Sequence, residues 1–213
     1  MSAAIIPRLV SHPTLAIATV VLLAASALAE DPCGHEFPQD SNPTPITSED
    51  ICNFHQVDPE IYRGGRPRTS AYPKLVALGI RTILDLERPA YAERQRAVIE
   101  EVNSKLPPEQ QITFVSFPVS QLEVEVSGIS HVRMQSLFRL LQGAQKPIYI
   151  QCYLGRDRAG LVVAVYRLLR RQMSYEQAYE EAVHYKFYPG DSGLKKTLDR
   201  YRIAKNLESL VKP

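Results

Sequence analysis

The chain has 213 residues, 45% of them hydrophobic, which is enough for one domain with a substantial core. Its 25 basic and 23 acidic residues leave a net charge of +2 at neutral pH. That near-balance argues against the concentrated basic surface of nucleic-acid and anionic-membrane binders, so neither partner is expected.

Arg8 is the only charged side chain before Glu30, and residues 15–25 are an uncharged run of small and apolar side chains. Ala27-Leu28-Ala29 follows as an A-x-A cleavage pattern, so residues 1–29 read as a secretory signal peptide. The apolar run is shorter than the roughly 20 residues that span a bilayer as a helix. No stable membrane span is therefore expected after cleavage, an uncleaved N-terminal anchor being the alternative. The expected location is periplasmic or secreted. In such an oxidising space Cys33 and Cys52, in the same Pro-rich polar segment, are the candidate disulfide, and Cys152 is left as a free thiol.

Residues 30–58 read as an irregular arm, with the main domain over 59–213. "IYRGGRP" at 61–67 predicts a short strand broken by Gly64-Gly65 and Pro67. A helix capped by Thr69 or Ser70 is expected through Leu78, ended by Gly79. "IRTILDL" at 80–86 is β-branched and apolar enough for a buried strand. A polar helix over 91–104 and a strand over 112–118 follow. Val132, Leu137, Leu140 and Leu141 give a helix over 130–141 its apolar side. After the strand "PIYIQ", a buried helix covers 159–170. Ser174 opens the next helix, with Gln177 as its capping-box partner, and a last helix runs from Asp191 or Ser192 to about Leu210. Strands separated by helices predict a single α/β domain with a central, mostly parallel sheet flanked by helices.

The chemistry concentrates in "IYIQCYLGRDRAG", residues 148–160. Cys152 ends a strand, Gly155 sits in the loop, and Arg158-Ala159-Gly160 opens an apolar helix. A strand–loop–helix junction of this kind points backbone N–H groups and a positive helix end into one concavity, a site for a phosphate dianion. The same field favours a thiolate at Cys152. Arg158 can hold two phosphate oxygens with its planar fork, which lysine cannot copy. The five histidines, His12, His35, His55, His131 and His184, show no ligand spacing, so no metal is expected, and no cofactor is implied.

At these residues the chain resembles the cysteine-dependent protein tyrosine phosphatase superfamily, most closely its compact dual-specificity-like bacterial branch. The signature there is H-C-x5-R followed by Ser or Thr and Gly, and many bacterial members read C-x-x-G-K-D-R-T-G. "CYLGRDRAG" matches at Cys152, Gly155, Asp157, Arg158 and Gly160, while "YRGGRP" at 62–67 and "LGIRTILDL" at 78–86 are similar to two upstream elements. The resemblance spans about residues 58–190 and implies a dual-specificity phosphatase-like fold. It implies Cys152 as nucleophile and Arg158 as phosphate clamp, with the amides of Tyr153, Leu154, Gly155, Arg156, Asp157 and Arg158 as the cradle. It also places Arg63, with Arg66 and Arg68, near the site entrance. With Arg156 these could take a second phosphate. The implied partner is a phosphorylated substrate: a phosphotyrosine or phosphoprotein, an inositol phosphate or a phosphoinositide.

Three departures qualify this. Gln151 stands where the family has histidine. Ala159 replaces the hydroxyl residue that helps stabilise the thiolate, which implies slow turnover or a higher cysteine pKa. The segment 117–131, where the family usually carries its general acid, has no aspartate. Asp157 is the leading substitute, matching an aspartate that serves as the acid in myotubularin-like phosphatases, with Glu123 and Glu125 as alternatives. A phosphate-binding pseudophosphatase with impaired turnover is the main alternative function, and a sulfurtransferase-type thiol enzyme the next.

Overall fold

The computed structural model describes Cys33, residues 46–170 and residues 172–211. They fall in one unit that begins at Asp31; the expected signal segment 1–29 and most of the expected arm lie outside the described residues. No helix among the described residues is long and apolar enough to cross a membrane.

Five strands, β1 (His55–Asp58), β2 (Ile61–Gly64), β3 (Thr82–Asp85), β4 (Thr113–Ser116) and β5 (Ile148–Gln151), form one sheet in the order β1-β2-β5-β3-β4. Only β1 runs antiparallel; β2, β5, β3 and β4 are mutually parallel. The helices are α1 (Tyr72–Ala77), α2 (Pro89–Asn103), α3 (His131–Gly143), α4 (Asp157–Leu169), α5 (Tyr175–His184), α6 (Ser192–Arg200) and α7 (Ala204–Glu208).

The side-chain alternation of the strands divides the core into two layers. Ile61, Leu84, Ile148 and Ile150 face a cluster with Met134, Phe138, Leu161 and Val165 from α3 and α4. Tyr62, Ile83 and Tyr149 face the other side, against Leu75 and Ile99 from α1 and α2. Covering both faces is what parallel strands require, and it explains why "PIYIQ" carries no polar residue before its end. Helix α4 is buried along most of its length because it is the central helix of the first layer.

The capping box at Ser174 and Gln177 forms with both bonds, and Ser130 caps α3 by accepting the Arg133 N–H. Several segments differ from the sequence reading. Neither Thr69 nor Ser70 caps α1: both lie in a 3-10 turn (Thr69–Ala71) before it, and Ala71 precedes the helix with no side-chain cap bond. A further helical turn, Glu123–Ser127, follows β4. The end of the expected irregular arm is β1, an edge strand whose HQVD sequence offers one inward apolar residue, Val57; its identity comes from pairing with β2. The last helix is broken into α6 and α7, because Tyr201 turns inward to be buried and bonded to His131.

Cys33 and Cys52 form a disulfide across a sequence separation of 19 residues. The Cys52 carbonyl accepts the Gly65 N–H at 2.7 Å, so the bridge ties a segment before β1 to the end of β2. The double substitution Cys33→Ser/Cys52→Ser is expected to lower unfolding free energy by about 3 kcal/mol, the scale of closing a loop this long in the unfolded chain. Denaturant unfolding checks this, and coincident transitions for the two proteins would show that the bridge contributes nothing.

Candidate active site

The carboxyl ends of four parallel strands lie in register: Gly64, Gln151 and Asp85 pair across β2, β5 and β3, and Asp85 pairs with Ser116 of β4. Ligand sites of open α/β sheets form beyond such ends. Cys152 follows β5 directly, its N–H reaching the Gly64 carbonyl at 3.4 Å, and α4 begins five residues later. The turn between them is forced by a close approach. Gly155 has φ +70°, and a Cβ there would lie 2.2 Å from the Gly64 carbonyl carbon, so only glycine fits this position of the loop.

The loop's carbonyls and N–H groups are segregated. The Tyr153 carbonyl accepts the Arg66 N–H. That of Gly155 accepts Asn53 Nδ2 at 3.0 Å and Arg63 Nη2 at 2.5 Å, and that of Arg156 accepts the Gly160 N–H and, at 3.5 Å, Arg63 Nη2. The backbone N–H groups of residues 153–158 donate to no group among the described residues. Tying the carbonyls outward leaves those donors and the N-terminus of α4 converging on one concavity, the arrangement that binds an anion. The Ala159 N–H lies on the side of the Cys152 sulfur and favours negative charge there.

Burial pushes the Cys152 thiol above its ordinary pKa; the Asp157 charge pushes the same way, while the Ala159 N–H and Arg158 oppose. The loop's field, expected to favour the thiolate, is thus outweighed by burial. Arg158 leans towards the segment after β4. Its Nε donates to the Val119 carbonyl at 2.9 Å and its Nη2 to Gln121 Oε1 at 3.2 Å, and Gln121 in turn donates to Glu125. Arg66, Glu87, Arg88, Tyr91, Gln121, Tyr153 and Arg158 line a cleft of about 390 Å³ beside the loop.

The other expected site residues fall into different places. Arg63, expected at the entrance, is fully buried beneath the loop; its guanidinium stacks on Tyr185 at 4.6 Å and holds loop carbonyls. The correction has a simple cause: β2 pairs with β5 one strand away from the cysteine, so a side chain on β2 reaches the underside of the loop. Of its companions, Arg66 is paired with Glu87 through Nε at 2.8 Å and Nη2 at 2.5 Å, and Arg68 is exposed. Tyr153 is exposed over Arg66, while Leu154 and Arg156 are half-buried. Asp157 has Oδ1 accepting the Tyr188 N–H at 2.8 Å and Oδ2 3.6 Å from Arg156. Glu123 caps the turn at Ser120 and pairs with Arg133 at 2.8 Å, whereas Glu125 is exposed and bonded to Gln121.

Gln151, standing where the resemblance has histidine, is buried and donates to Asp85 Oδ1 at 3.1 Å and to Gln95 Oε1 at 2.5 Å. Burial raises the Asp85 carboxyl to about 6, with Gln151 and the Glu87 N–H opposing. The Gln151 NH2 thus fixes the end of β5 from the sheet side, while its Oε1 is buried with no hydrogen-bond partner among the described residues. Asn53, Gln95 and Gln121 were not singled out from the sequence, since each is an ordinary amide with no motif around it. Only the fold brings them within reach of the loop.

The model of the tyrosine phosphatase family matches residues 50–195, most of the described chain. The sequence is 28% identical to OCA1 of Mycosarcoma maydis over 131 residues, 56% of this chain and 71% of that one. To the dual specificity protein phosphatase TpbA of Pseudomonas aeruginosa it is 23% identical over 134 residues, 62% of this chain but about half (54%) of that one. Among solved structures, TpbA in complex with phosphotyrosine superposes with a TM-score of 0.63 at 16% identity, covering 81% of this chain and 99% of that one. The core catalytic domain of the PP-IP phosphatase SIW14 from Saccharomyces cerevisiae, in complex with citrate, gives 0.52 at 19% identity, with coverage of 75% and 94%. The two superpositions share the α/β fold, and the family match extends across β1 to the start of α6 and includes the whole cysteine loop. The chain belongs to the tyrosine phosphatase family, the cysteine-based phosphatases of tyrosine and dual-specificity type.

Proposed function

We propose that this phosphatase hydrolyses phosphomonoesters through a phosphocysteine on Cys152, with Arg158 and the amides of residues 153–158 binding the phosphate. The observation that carries this reading is the segregation of the loop that follows the thiol: carbonyls tied to Asn53, Arg63 and the Arg66 N–H, and N–H groups left without a partner among the described residues. In the first half-reaction the sulfur attacks phosphorus and the ester oxygen leaves. In the second, water attacks phosphorus and the thiolate departs. The N–H groups and Arg158 take up the charge that develops on the equatorial oxygens.

For the substrate, an aryl phosphate, as in phosphotyrosine, is favoured over a polyphosphorylated inositol. Two of the arginines that would bind a second phosphate are already engaged: Arg63 with loop carbonyls and Arg66 with Glu87. The cleft beside the loop is walled instead by Tyr91 and Tyr153, whose faces suit a phenyl ring. The TpbA complex contains phosphotyrosine, which agrees with this preference, while SIW14 is described as a PP-IP phosphatase, which keeps inositol phosphates in the comparison. We also propose export: residues 1–29 carry a signal-peptide pattern, and the Cys33–Cys52 bridge is in keeping with an oxidising space.

The test is a panel of phosphotyrosine peptides, phosphoinositides and soluble inositol phosphates, with acid-quenched samples analysed by mass spectrometry for one phosphoryl group on the peptide containing Cys152. Phosphotyrosine turnover with the trapped adduct is expected. Phosphate binding without turnover or adduct would favour the pseudophosphatase reading that Ala159 motivates. Preferred release from an inositol phosphate would overturn the substrate assignment while leaving the mechanism intact.

A further inference from the structure

Hydrolysis by this route needs a carboxylic acid near the leaving oxygen, and the segment after β4 supplies no aspartate. The carboxylates around the site differ in how their oxygens are engaged. Glu123 is held by Ser120 and Arg133. Glu87 makes a two-point pair with Arg66. Asp157 directs Oδ1 to the Tyr188 N–H and Oδ2 towards Arg156. Glu125 accepts from Gln121. One carboxylate near them, Asp191, makes no side-chain hydrogen bond among the described residues, and its sequence setting, "YPGDSG", had marked it only as a helix start.

Residues 188–193 are docked on both walls of the site. The Tyr188 N–H bonds Asp157 at the head of α4, and the Tyr188 carbonyl accepts the Asp191 N–H at 3.1 Å. On the other side the Ser192 hydroxyl donates to the Glu125 carbonyl at 2.5 Å. Gly193 packs so closely that a Cβ there would lie 2.2 Å from the Glu123 carbonyl oxygen. Asp191 is therefore fixed between the helix that follows the cysteine loop and the turn that carries Glu123 and Glu125. The charged groups whose fields reach it are Asp157, Glu125, Arg156 and Arg158.

We propose that Asp191, rather than Asp157, is the general acid of this phosphatase. Resting on the phosphocysteine reading above, the step balances as follows. The S–P bond forms as the P–O ester bond breaks, and the departing oxygen takes the Asp191 proton. In the second half-reaction water gives a proton back to the Asp191 carboxylate as its oxygen bonds phosphorus and the S–P bond breaks. The surroundings suit that role: burial, then the neighbouring Asp157 and Glu125 charges, raise the Asp191 carboxyl above its ordinary pKa, against the pull of Arg156 and Arg158. A raised value keeps more of the acid protonated towards neutral pH.

A missing acid costs most when the leaving group is poor. Asp191→Asn is expected to lower kcat on phenyl phosphate by on the order of 10²-fold or more, and on p-nitrophenyl phosphate, whose phenolate leaves unaided, by less than about tenfold. The fall in phenyl phosphate turnover at high pH, set in the wild type by deprotonation of the acid, is expected to vanish in Asp191→Asn, and Asp191→Glu is expected to recover part of the rate. Inorganic phosphate should still raise the melting temperature of Asp191→Asn, which separates lost chemistry from lost folding. Equal losses on both substrates, or a leaving-group-dependent loss produced instead by Asp157→Asn or Glu125→Gln, would overturn the assignment. If the wild type forms no phosphocysteine at all, the mechanism itself fails. If it does and Asp191→Asn behaves as wild type, only Asp191 is displaced from its role.

Discussion

Replacing Cys152 by serine is expected to lower kcat on an aryl phosphate by on the order of 10⁴-fold or more, the scale seen when an enzyme's nucleophile is removed. The reason lies in what the loop can ionise. A thiol next to an N–H donor and an arginine can become a thiolate even where burial raises its pKa, as it does for Cys152. A serine hydroxyl in the same place lies far outside that range, and among the described residues no histidine is bonded to position 152, Gln151 being turned towards Asp85 and Gln95. The cradle is made of backbone, so it should survive the change: phosphate binding, followed by calorimetry, is expected to persist while turnover is lost. Retained turnover would mean that the sulfur is not the group that attacks phosphorus.

The sequence carried the loop well because its logic is local. The order strand, cysteine, glycine, arginine and apolar helix is contiguous, although the close approach that demands glycine at 155 comes from Gly64 on β2, far away in sequence. The strands of the parallel sheet were equally visible, since burial on both faces leaves runs such as "TILD" and "IYIQ" with little polar interruption. Strand β1 was hidden for the opposite reason: an edge strand with one inward side chain has no pattern of its own and exists through its partner. The support of the loop was hidden too. Asn53 and Arg63 reach the Gly155 carbonyl from 102 and 92 residues away, and nothing in their neighbourhoods signals it. Arginine clusters near a candidate anion site suggest ligand binding, but charge alone does not tell which side of the loop a strand residue will reach. For Arg63 the parallel pairing of β2 with β5 decided it, and the arginine shapes the cradle from below. The carboxylates follow the same rule. Asp157 stood out by a resemblance, its place directly before Arg158, yet that could not show that the chain returns at residue 188 to bond it.

Arg158→Lys is expected to cost about 10³-fold in kcat/KM on an aryl phosphate, near the upper end of what the loss of one transition-state donor removes. The guanidinium is positioned through two of its N–H groups, by the Val119 carbonyl and Gln121, and a planar fork held in this way can still present its remaining N–H groups to a phosphate. Lysine keeps the charge but loses the plane. Its ammonium cannot bond Val119 and Gln121 and also meet two phosphate oxygens in a fixed geometry. The loss should fall more on kcat than on phosphate affinity, because the charge on the equatorial oxygens is redistributed as the P–O bond breaks, whereas a ground-state dianion is still attracted by an ammonium. Gln121→Ala leaves the arginine itself in place and removes one of its two anchors, so a smaller loss, about tenfold, is expected in the same direction. Measuring kcat and KM separately for both variants decides between positioning and simple attraction. If Arg158→Lys raised KM alone while Gln121→Ala changed nothing, Arg158 would be acting as a source of positive charge, and its fixed geometry would be irrelevant to the chemistry.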